Sequence, residues 1–245
     1  MLFTTSWDDG THFDKEIANL LESFECTGTF YCCPKKEGSV ELLTEQEIRM
    51  LSRKHEIGAH TMTHPWLTRL EENEMKGEIT ESKAWVEAVT GKPCTMFCYP
   101  YGDYDENVLS VVEKAGYMGA RTTDEVEFKI DDNYSIPTSW KVTPFPMRKR
   151  LSKLWHPLDP LGPLRTRFKR LRAMNTPLAS MGSWLSATLF LFEYALATDQ
   201  PWFHLWGHGS EVEKFEMWND LEAFLKHVHS SRGVKCVVNS ELISS

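Results

Sequence analysis

Short apolar runs alternate with amphipathic stretches along most of the chain. The first run, LFTTS at 2–6, precedes a segment in which Ile17, Leu20, Leu21 and Phe24 recur at helical spacing. The same succession of a β-like run and a helical stretch continues toward the C-terminus. Alternation of this kind predicts a parallel sheet covered by helices, either open or closed into a barrel.

The remaining elements follow from the same pattern. Further strands are predicted at 28–33, 56–61, 95–102, 117–122, 202–208 and 234–239. Helices are predicted at 13–24, 45–55, 71–90, 105–116, 183–198 and 212–231. Thr44 followed by Glu47 forms a capping-box pattern at one helix start, and Gly91 marks a helix end. The apolar stretch 184–197 contains Glu193 and is too short to span a bilayer, so a buried core helix is expected.

Length and composition favour one α/β domain. The chain has 245 residues, of which 41% are hydrophobic and 25% charged, a normal size for a single barrel. No linker or internal repeat divides it, so one domain over residues 1–245 is expected. The N-terminus lacks a basic region followed by an apolar one, so no signal peptide is expected. The six cysteines form no Cys-x-x-Cys pair and are interpreted as free thiols, which favours a cytoplasmic location.

Charge is unevenly distributed. Between residues 147 and 176, nine Lys or Arg residues accompany one acid, Asp159, so this segment carries +8 and the rest of the chain −16 for a net charge of −8. We interpret 147–176 as a basic loop insertion. Either it is simply solvated, or it binds an anionic group such as that of an acidic glycan, a nucleotide sugar or a lipid-linked sugar. Nucleic acid is disfavoured because the segment lacks a recognised binding motif and the body is acidic.

Four polar clusters come directly after predicted strands. These clusters are Asp8–Asp9, the histidine pair in HTMTH (60–64), CYPYG (98–102) and HLWGH (204–208). The carboxyl ends of parallel strands form one edge of the sheet, and active sites of α/β folds lie there. We therefore expect the four clusters to face one cavity.

The residue types at these positions fit metal-assisted hydrolysis. His60 and His64 suit two ligands of one divalent cation, and a carboxylate from another segment completes a three-ligand set. Of the two adjacent aspartates, one can bind the cation while the other takes a proton from a water whose pKa the cation lowers. His208 is then a candidate acid for the leaving group, and the backbone N–H of Tyr101 a candidate oxyanion donor.

The motifs SWDDG, HTMTH, YPYG and HLWGHG, in this order and spacing, resemble those of the polysaccharide deacetylase family, carbohydrate esterase family 4 with the NodB-homology fold. The resemblance covers residues 1–122 and 202–210. It implies a distorted (β/α) barrel of about seven strands. It also implies metal-dependent removal of acetyl groups from N-acetylated sugars, with a metal-bound water as nucleophile.

The resemblance also assigns roles to individual residues. The assigned positions are the base Asp8, the metal ligands Asp9, His60 and His64, the oxyanion-stabilising turn Pro100–Tyr101, and the general acid His208. Zinc is the expected metal, with cobalt, nickel and manganese as alternatives.

The chain departs from the family pattern next to the base. Cys98 occupies the position at which the family has an arginine that orients the base, and we hypothesise that Arg121 replaces it. The aspartate and tryptophan of the family's fourth motif have no clear counterpart, although Trp140 lies in roughly the right region. Residues interpreted as contacting substrate are Tyr99, Pro100, Trp206, Arg121 and His12.

The sequence therefore predicts an N-deacetylase acting on an acetylated sugar or glycan, either anionic or lipid-linked. Two alternatives stay open: a hydrolase of a small non-sugar amide or cyclic ureide on the same scaffold, and a catalytically degenerate protein that binds carbohydrate. Retention of a base beside a metal ligand favours catalysis over binding alone. No nucleic-acid partner and no transmembrane segment are expected, and the oligomeric state stays open.

Overall fold

The computed structural model describes residues 1–38, 40–149 and 158–243. Within these residues one sheet contains the strands β1 (Leu2–Asp9), β2 (Thr29–Cys32), β3 (Glu56–Ala59), β4 (Met96–Cys98), β5 (Gly119–Arg121), β6 (Trp140–Lys141), β7 (Trp202–Gly207) and β8 (Lys235–Val237). The α-helices are α1 (Asp14–Ser23), α2 (Glu45–Leu51), α3 (Glu72–Thr90), α4 (Glu106–Lys114), α5 (Gly162–Ala173), α6 (Trp184–Ala197), α7 (Gly209–Lys214), α8 (Trp218–Ser230) and α9 (Asn239–Leu242).

The sheet is entirely parallel and curls toward closure. Its strand order is β5-β4-β3-β2-β1-β7-β6, and β8 pairs with the first residues of β1. Residues 136–142 border both ends of this order. The N–H of Ile136 donates to Ala120 O beside β5 at 2.9 Å, and the N–H of Ser139 donates to His204 O in β7 at 3.0 Å. The expected distorted (β/α) barrel of about seven strands is confirmed.

Strand β1 lies at the centre because both of its faces are covered. Every residue from Phe3 to Asp9 is buried. Phe3 contacts the rings of Phe192 in α6, Phe203 in β7 and Phe224 in α8. The apolar stretch 184–197 forms α6 and is a core helix, as expected, since Leu191 and Phe192 are fully buried.

Most predicted helices are confirmed to within a few residues, and the local signals explain their ends. Thr44 and Glu47 form the predicted capping box at the start of α2. Gly91 follows α3 in the left-handed conformation, with φ of 69°. The single helix expected at 212–231 is wrong, because the chain turns at 215–217 and separates α7 from α8. Glu216 adopts a positive φ of 56° in this turn, which ends helical geometry.

The basic segment also differs from its prediction as a loop. Residues 162–173 form helix α5, which buries Leu171 against the body and pairs Arg167 with Glu125. These contacts stabilise a helix that composition alone did not reveal. Residues 150–157 of the expected insertion lie outside the described residues.

The expectation of six free thiols is wrong for one pair. Cys26 and Cys236 form a disulfide between the segment before β2 and strand β8, which approach each other on the sheet. Cys32, Cys33, Cys94 and Cys98 are free and buried. In the described part of the chain, no helix has both the length and the apolar character needed to cross a bilayer.

Close packing between β2 and β3 gives a stability prediction. Gly58 lies opposite Tyr31, and a Cβ on Gly58 would lie 2.5 Å from two Tyr31 ring carbons. We expect Gly58→Ala to lower the free energy of unfolding by about 1–3 kcal/mol through overpacking. Gly77→Ala in α3 is the control, since its Cβ has room and alanine favours helix, so a gain of about 0.5–1 kcal/mol is expected. Urea denaturation of both variants measures this, and equal effects would contradict the packing of β2 against β3.

Candidate metal centre and active-site edge

The carboxyl ends of five parallel strands bring polar side chains together at one edge of the barrel. The residues concerned are Asp8 and Asp9 at the end of β1, His60 and His64 after β3, Tyr101 after β4, Arg121 at the end of β5 and His208 after β7. The structure thus brings the four clusters located in the sequence close together, and it adds Arg121 from β5. Their contacts divide them into a metal-binding group and a group around Asp8.

Asp9, His60 and His64 form a compact set of potential metal ligands. Asp9 Oδ1 lies 3.3 Å from His64 Nε2 and 3.7 Å from His60 Nε2. One ligand atom from each of the three residues lies within 4.8 Å of the others, and all three side chains are buried. The fully buried Asp9 Oδ1 accepts no hydrogen bond from the described residues.

The hydrogen bonding of His60 prepares its other nitrogen for a metal. His60 Nδ1 lies 2.7 Å from the carbonyl oxygen of Cys98, and a carbonyl can only accept, so Nδ1 carries the proton. Burial lowers the pKa of His60 to about 4, which keeps the imidazole neutral. Nε2 therefore presents a lone pair beside Asp9. A protonated Nδ1 bonded to a carbonyl is the usual support of a metal-binding histidine.

Electrostatics keep Asp9 charged. Burial by itself raises the pKa of Asp9, but His64, His208, His60 and the Lys36 ammonium outweigh it and lower the pKa well below its usual range. Lys36 Nζ forms an ion pair with Asp9 Oδ2. A carboxylate with an unpaired buried oxygen and two imidazoles is a donor set that fits zinc and neighbouring divalent metals.

The backbone around these ligands is strained. Asp9, Thr61, His64 and Tyr101 are not glycine, yet their φ angles are 80°, 65°, 59° and 61°. Non-glycine residues seldom adopt this region, and such conformations concentrate at functional sites, where surrounding contacts hold them. The positive φ angles change the direction of the chain where β1 and β3 end, and the side chains of Asp9, His60 and His64 then approach one another.

Asp8 has a different partner from its neighbour Asp9. Arg121 donates a hydrogen bond from its guanidinium to Asp8 Oδ1, and the Arg121 side chain is fully buried. Burial raises the pKa of Asp8, but the combined effect of Arg121, His60 and His208 is larger and lowers the pKa below its usual value. The carboxylate therefore stays charged. The guanidinium also lies 4.5 Å from the ring centroid of Trp206.

The strand register explains how Arg121 reaches Asp8. Cys98 in β4 and Arg121 in β5 are paired residues of adjacent strands. Cys98 Sγ lies 3.7 Å from Asp8 Oδ2, while Arg121 bonds the other carboxylate oxygen. An arginine one strand further along therefore contacts the carboxylate over the small Cys98 side chain, in agreement with the hypothesis drawn from the sequence.

His208 faces the metal-binding group and is held by a residue that the sequence analysis missed. His208 Nε2 lies 3.9 Å from Asp9 Oδ2, and Nδ1 lies 3.1 Å from Glu211 Oε2. Lys141 Nζ forms an ion pair with the same carboxylate at 2.9 Å. The His-x-x-Glu spacing at the start of α7 was the available signal, since residues three apart share a helix face.

Two cavities flank the metal-binding group. One of about 750 Å³ is lined by residues including Lys35, His64, Trp66, Arg69 and Tyr101. Trp66 and Tyr101 stack in it with centroids 4.2 Å apart, and they are 39% and 52% exposed. The other, of about 430 Å³, is lined by residues including Asp9, Lys36, His208 and Glu211.

Several expected substrate contacts are placed elsewhere. Tyr99 is buried and its hydroxyl donates to Tyr134 O at 2.8 Å, so its ring has no free face for a sugar. Trp206 and Arg121 are also buried, and both belong to the surroundings of Asp8. Direct substrate contact by these three side chains stays a prediction, and their burial does not favour it.

The other residues considered, Pro100, His12 and Trp140, do not line the two cavities. Pro100 is buried in the turn that carries Tyr101. His12 approaches Glu41 O at 3.3 Å and lines neither of the two cavities. Trp140, considered as a counterpart of the missing fourth-motif tryptophan, is buried against Phe145 and the Arg167 guanidinium. Trp66 is the exposed aromatic that the sequence analysis missed, although it stands two residues after His64.

Known proteins resemble this chain in sequence and fold. A family model described as polysaccharide deacetylase matches residues 2–120. The matched residues make up just under half of the chain, and this part is similar to the polysaccharide deacetylase family.

Individual members of this family match over limited lengths. A chitin deacetylase of Pestalotiopsis sp is 27% identical over 133 residues, which cover 54% of this chain and 45% of that protein. The peptidoglycan-N-acetylmuramic acid deacetylase PdaC of Bacillus subtilis is 29% identical over 107 residues, covering 43% of this chain and 22% of that protein. The chain thus spans less than half the length of these two polysaccharide deacetylases.

The fold likeness extends beyond the matched sequence. The structure of the Bc1960 peptidoglycan N-acetylglucosamine deacetylase aligns with 99% of this chain and 88% of its own, with a TM-score of 0.59 and 15% identity. At this identity the likeness shows the deacetylase fold alone. It includes the C-terminal half, where the family model does not match.

The buried pair of Asp8 and Arg121 gives a prediction that needs no assay of activity. We expect Arg121→Ala to lower the free energy of unfolding by about 3–5 kcal/mol, because Asp8 would stay buried without its partner. The double variant Asp8→Ala/Arg121→Ala should cost clearly less than the sum of the single variants. Urea denaturation of the metal-free proteins measures this cycle. Additive costs would contradict the direct pairing of the two side chains.

Proposed function

We propose that the protein is a metal-dependent hydrolase that removes acetyl groups from an N-acetylated sugar or glycan. One observation carries this proposal: adjacent carboxylates at the end of β1 have different partners. Asp9 faces two imidazoles, whereas Asp8 is held by an arginine. A site that only binds a metal or a sugar has no use for a second buried carboxylate with its own cation.

Asp9, His60 and His64 would hold the divalent metal, with zinc as the proposed ion. Bound there, the metal would act as a Lewis acid that lowers the pKa of water and polarises the acetyl carbonyl. The chain's own contribution is a preformed set of ligands, of which His60 is fixed in its tautomer by Cys98 O. Cobalt, nickel and manganese are alternatives for the same donors.

Asp8 would act as the general base. Its carboxylate is kept charged by Arg121 and lies next to Asp9, so it can take a proton from the water that attacks the acetyl carbon. Arg121 is a positioning residue in this scheme, since it contacts Asp8 and not the substrate. This contact supports catalysis against the alternative of a degenerate binding protein, whose main ground was the cysteine at position 98.

His208 would donate a proton to the leaving amine on the other side of the metal-binding group. Glu211 fixes the imidazole through Nδ1, which leaves Nε2 toward Asp9 and the adjoining cavity. The backbone N–H of Tyr101 would stabilise the oxyanion. The Tyr101 ring packs edge-on against His64 with centroids 4.6 Å apart, which places this turn beside a proposed metal ligand.

The stacked rings of Trp66 and Tyr101 favour a sugar over a small amide as substrate. Both side chains are partly exposed in the cavity, so their rings can contact the apolar surface of a sugar, and the cavity of about 750 Å³ is large enough for more than one ring. Lys35 and Arg69 in the same cavity favour an anionic glycan. A lipid-linked substrate and a cytoplasmic location complete the proposal and rest on the sequence arguments, of which the interpretation of the cysteines as free thiols holds for four of the six.

Metal removal and substitution of Asp8 test the proposed reaction. We expect chelated protein to release no acetate from N-acetylglucosamine oligomers, and zinc to restore the activity. Asp8→Asn should retain the metal but lower turnover by about a hundredfold to ten thousandfold, as loss of a general base does. Acetate release and elemental analysis measure the two effects.

Asp131→Asn is the matched control, because Asp131 is an exposed aspartate that forms an ion pair with Lys129. It should behave as the unmodified protein does. Turnover that survives in Asp8→Asn would contradict the role of Asp8. Acetate release from a simple acetamide, but from no acetylated sugar, would contradict the proposed substrate class.

Glu211 provides a second test, of the proposed acid. We expect Glu211→Gln to lower kcat by about tenfold or more with KM little changed. The substitution weakens the contact that holds His208 Nδ1, and it does not alter the cavity of about 750 Å³ proposed for the sugar. Glu211→Asp should recover part of kcat, whereas Glu222→Gln on the exposed face of α8 should have no effect. Steady-state kinetics with the same substrate measure this. A rise in KM with unchanged kcat would show that Glu211 binds substrate instead.

A further inference from the structure

Exposed apolar side chains concentrate around helix α5. Within the described residues, five of the ten exposed large hydrophobic side chains come from the segment 147–178. These five are Met147, Leu158, Leu161, Phe168 and Leu178. Leu158 and Leu178 are 88% and 71% exposed, the highest values among the ten. Exposed apolar groups gathered in a short segment indicate a surface that binds a partner.

Helix α5 presents this character on a defined face. Leu161, Arg165, Phe168 and Arg172 follow one another at spacings of four, three and four, so they lie on one side, and all four are exposed. A neighbouring side of the helix is attached to the body, where Leu171 is fully buried. We call Leu158, Leu161, Arg165, Phe168, Lys169, Arg172 and Leu178 the α5 surface.

Some basic residues of α5 form ion pairs with the body, whereas others form none within the described part of the chain. Arg167 pairs with Glu125, and Arg170 lies 3.5 Å from Glu127. Lys169 and Arg172 are exposed and have no partner among the described residues. Lys169 follows Phe168 directly, and Arg172 lies one helical turn after Phe168.

The local charge is opposite in sign to that of the whole chain. The described part of 147–178 holds seven Lys or Arg residues, against Asp159 within it and Glu125 and Glu127 facing it. This leaves +4, whereas the chain as a whole carries −8. A positive apolar surface on an acidic protein selects a negatively charged partner that also accepts apolar side chains.

We propose that the α5 surface binds the protein to a bilayer that contains anionic lipids. Leu158, Leu161 and Phe168 would enter the boundary between headgroups and acyl chains, while Lys169 and Arg172 would contact lipid phosphates; Arg165 is paired with Asp159. Basic residues combined with exposed Leu and Phe are the composition of interfacial helices, and each basic residue near such a surface strengthens binding by about fivefold. Nucleic acid would use the cations but would leave Leu158 and Leu178 without a function.

The position of this surface relates it to the active-site edge. The segment that carries α5 begins after the carboxyl end of β6, the strand end at which Lys141 holds Glu211. Lys149 donates a hydrogen bond to Phe215 O at the end of α7, the helix that starts beside His208. Binding through α5 would therefore bring this side of the barrel close to a bilayer.

Sedimentation with vesicles tests the proposal on the full chain. The probes are vesicles of phosphatidylcholine alone and vesicles in which about 30% of the lipid is phosphatidylglycerol, an anionic lipid. We expect binding to the anionic vesicles only, and release when the salt concentration is raised from about 0.1 M to 0.5 M. Lys169→Glu/Arg172→Glu should weaken the partition by about thirtyfold or more. Leu161→Ser/Phe168→Ser should weaken it by about tenfold or more.

The matched control is Lys226→Glu/Arg232→Glu, which changes the net charge by the same amount at exposed positions in and after α8. It should retain binding, and unchanged thermal unfolding of all three double variants would exclude misfolding. Equal binding to neutral and anionic vesicles, or equal losses in the α5 and α8 charge variants, would overturn the proposal. Binding of single-stranded RNA without binding of anionic vesicles would overturn it as well.

Discussion

The rest of the site depends on the way in which two adjacent carboxylates, Asp8 and Asp9, pair with different cations. Asp8 and Asp9 would repel each other in a buried position without compensating cations. Arg121 compensates Asp8, and Lys36 compensates Asp9 beside the two imidazoles. The same arrangement that makes the doublet tolerable would also give each carboxylate a different task in the proposed reaction.

This separation requires a parallel, curled sheet. Arg121 reaches Asp8 because β5 pairs with β4 at Cys98, and the curl of the sheet brings that strand end back toward β1. The proposed metal ligands come from two strand ends, of which His60 and His64 lie on either side of a backbone turn with positive φ angles. Fold and site are therefore coupled: the core around β1 holds in place the contacts that keep both carboxylates charged.

The sequence predicted the features that depend on spacing and periodicity. Strand–helix alternation predicted a parallel sheet covered by helices, and the family resemblance implied the barrel. The rule that parallel strands end at one edge predicted that Asp9, His60 and His64 approach one another. It failed where long-range packing decides. Tyr99 and Trp206 were interpreted as contacting substrate but are buried, and α5 was expected to be a loop. Aromatic identity and basic composition do not reveal which neighbours cover a side chain.

The central claim is that Asp9 binds a metal while Asp8 does not. The most direct measurement is anomalous diffraction at the zinc edge from crystals of the zinc-loaded protein. The account predicts one strong peak within about 2.0–2.2 Å of Asp9 Oδ1 and of the Nε2 atoms of His60 and His64. Arg121 should remain on Asp8. A peak coordinated by Asp8, or no peak at these three residues, would contradict it.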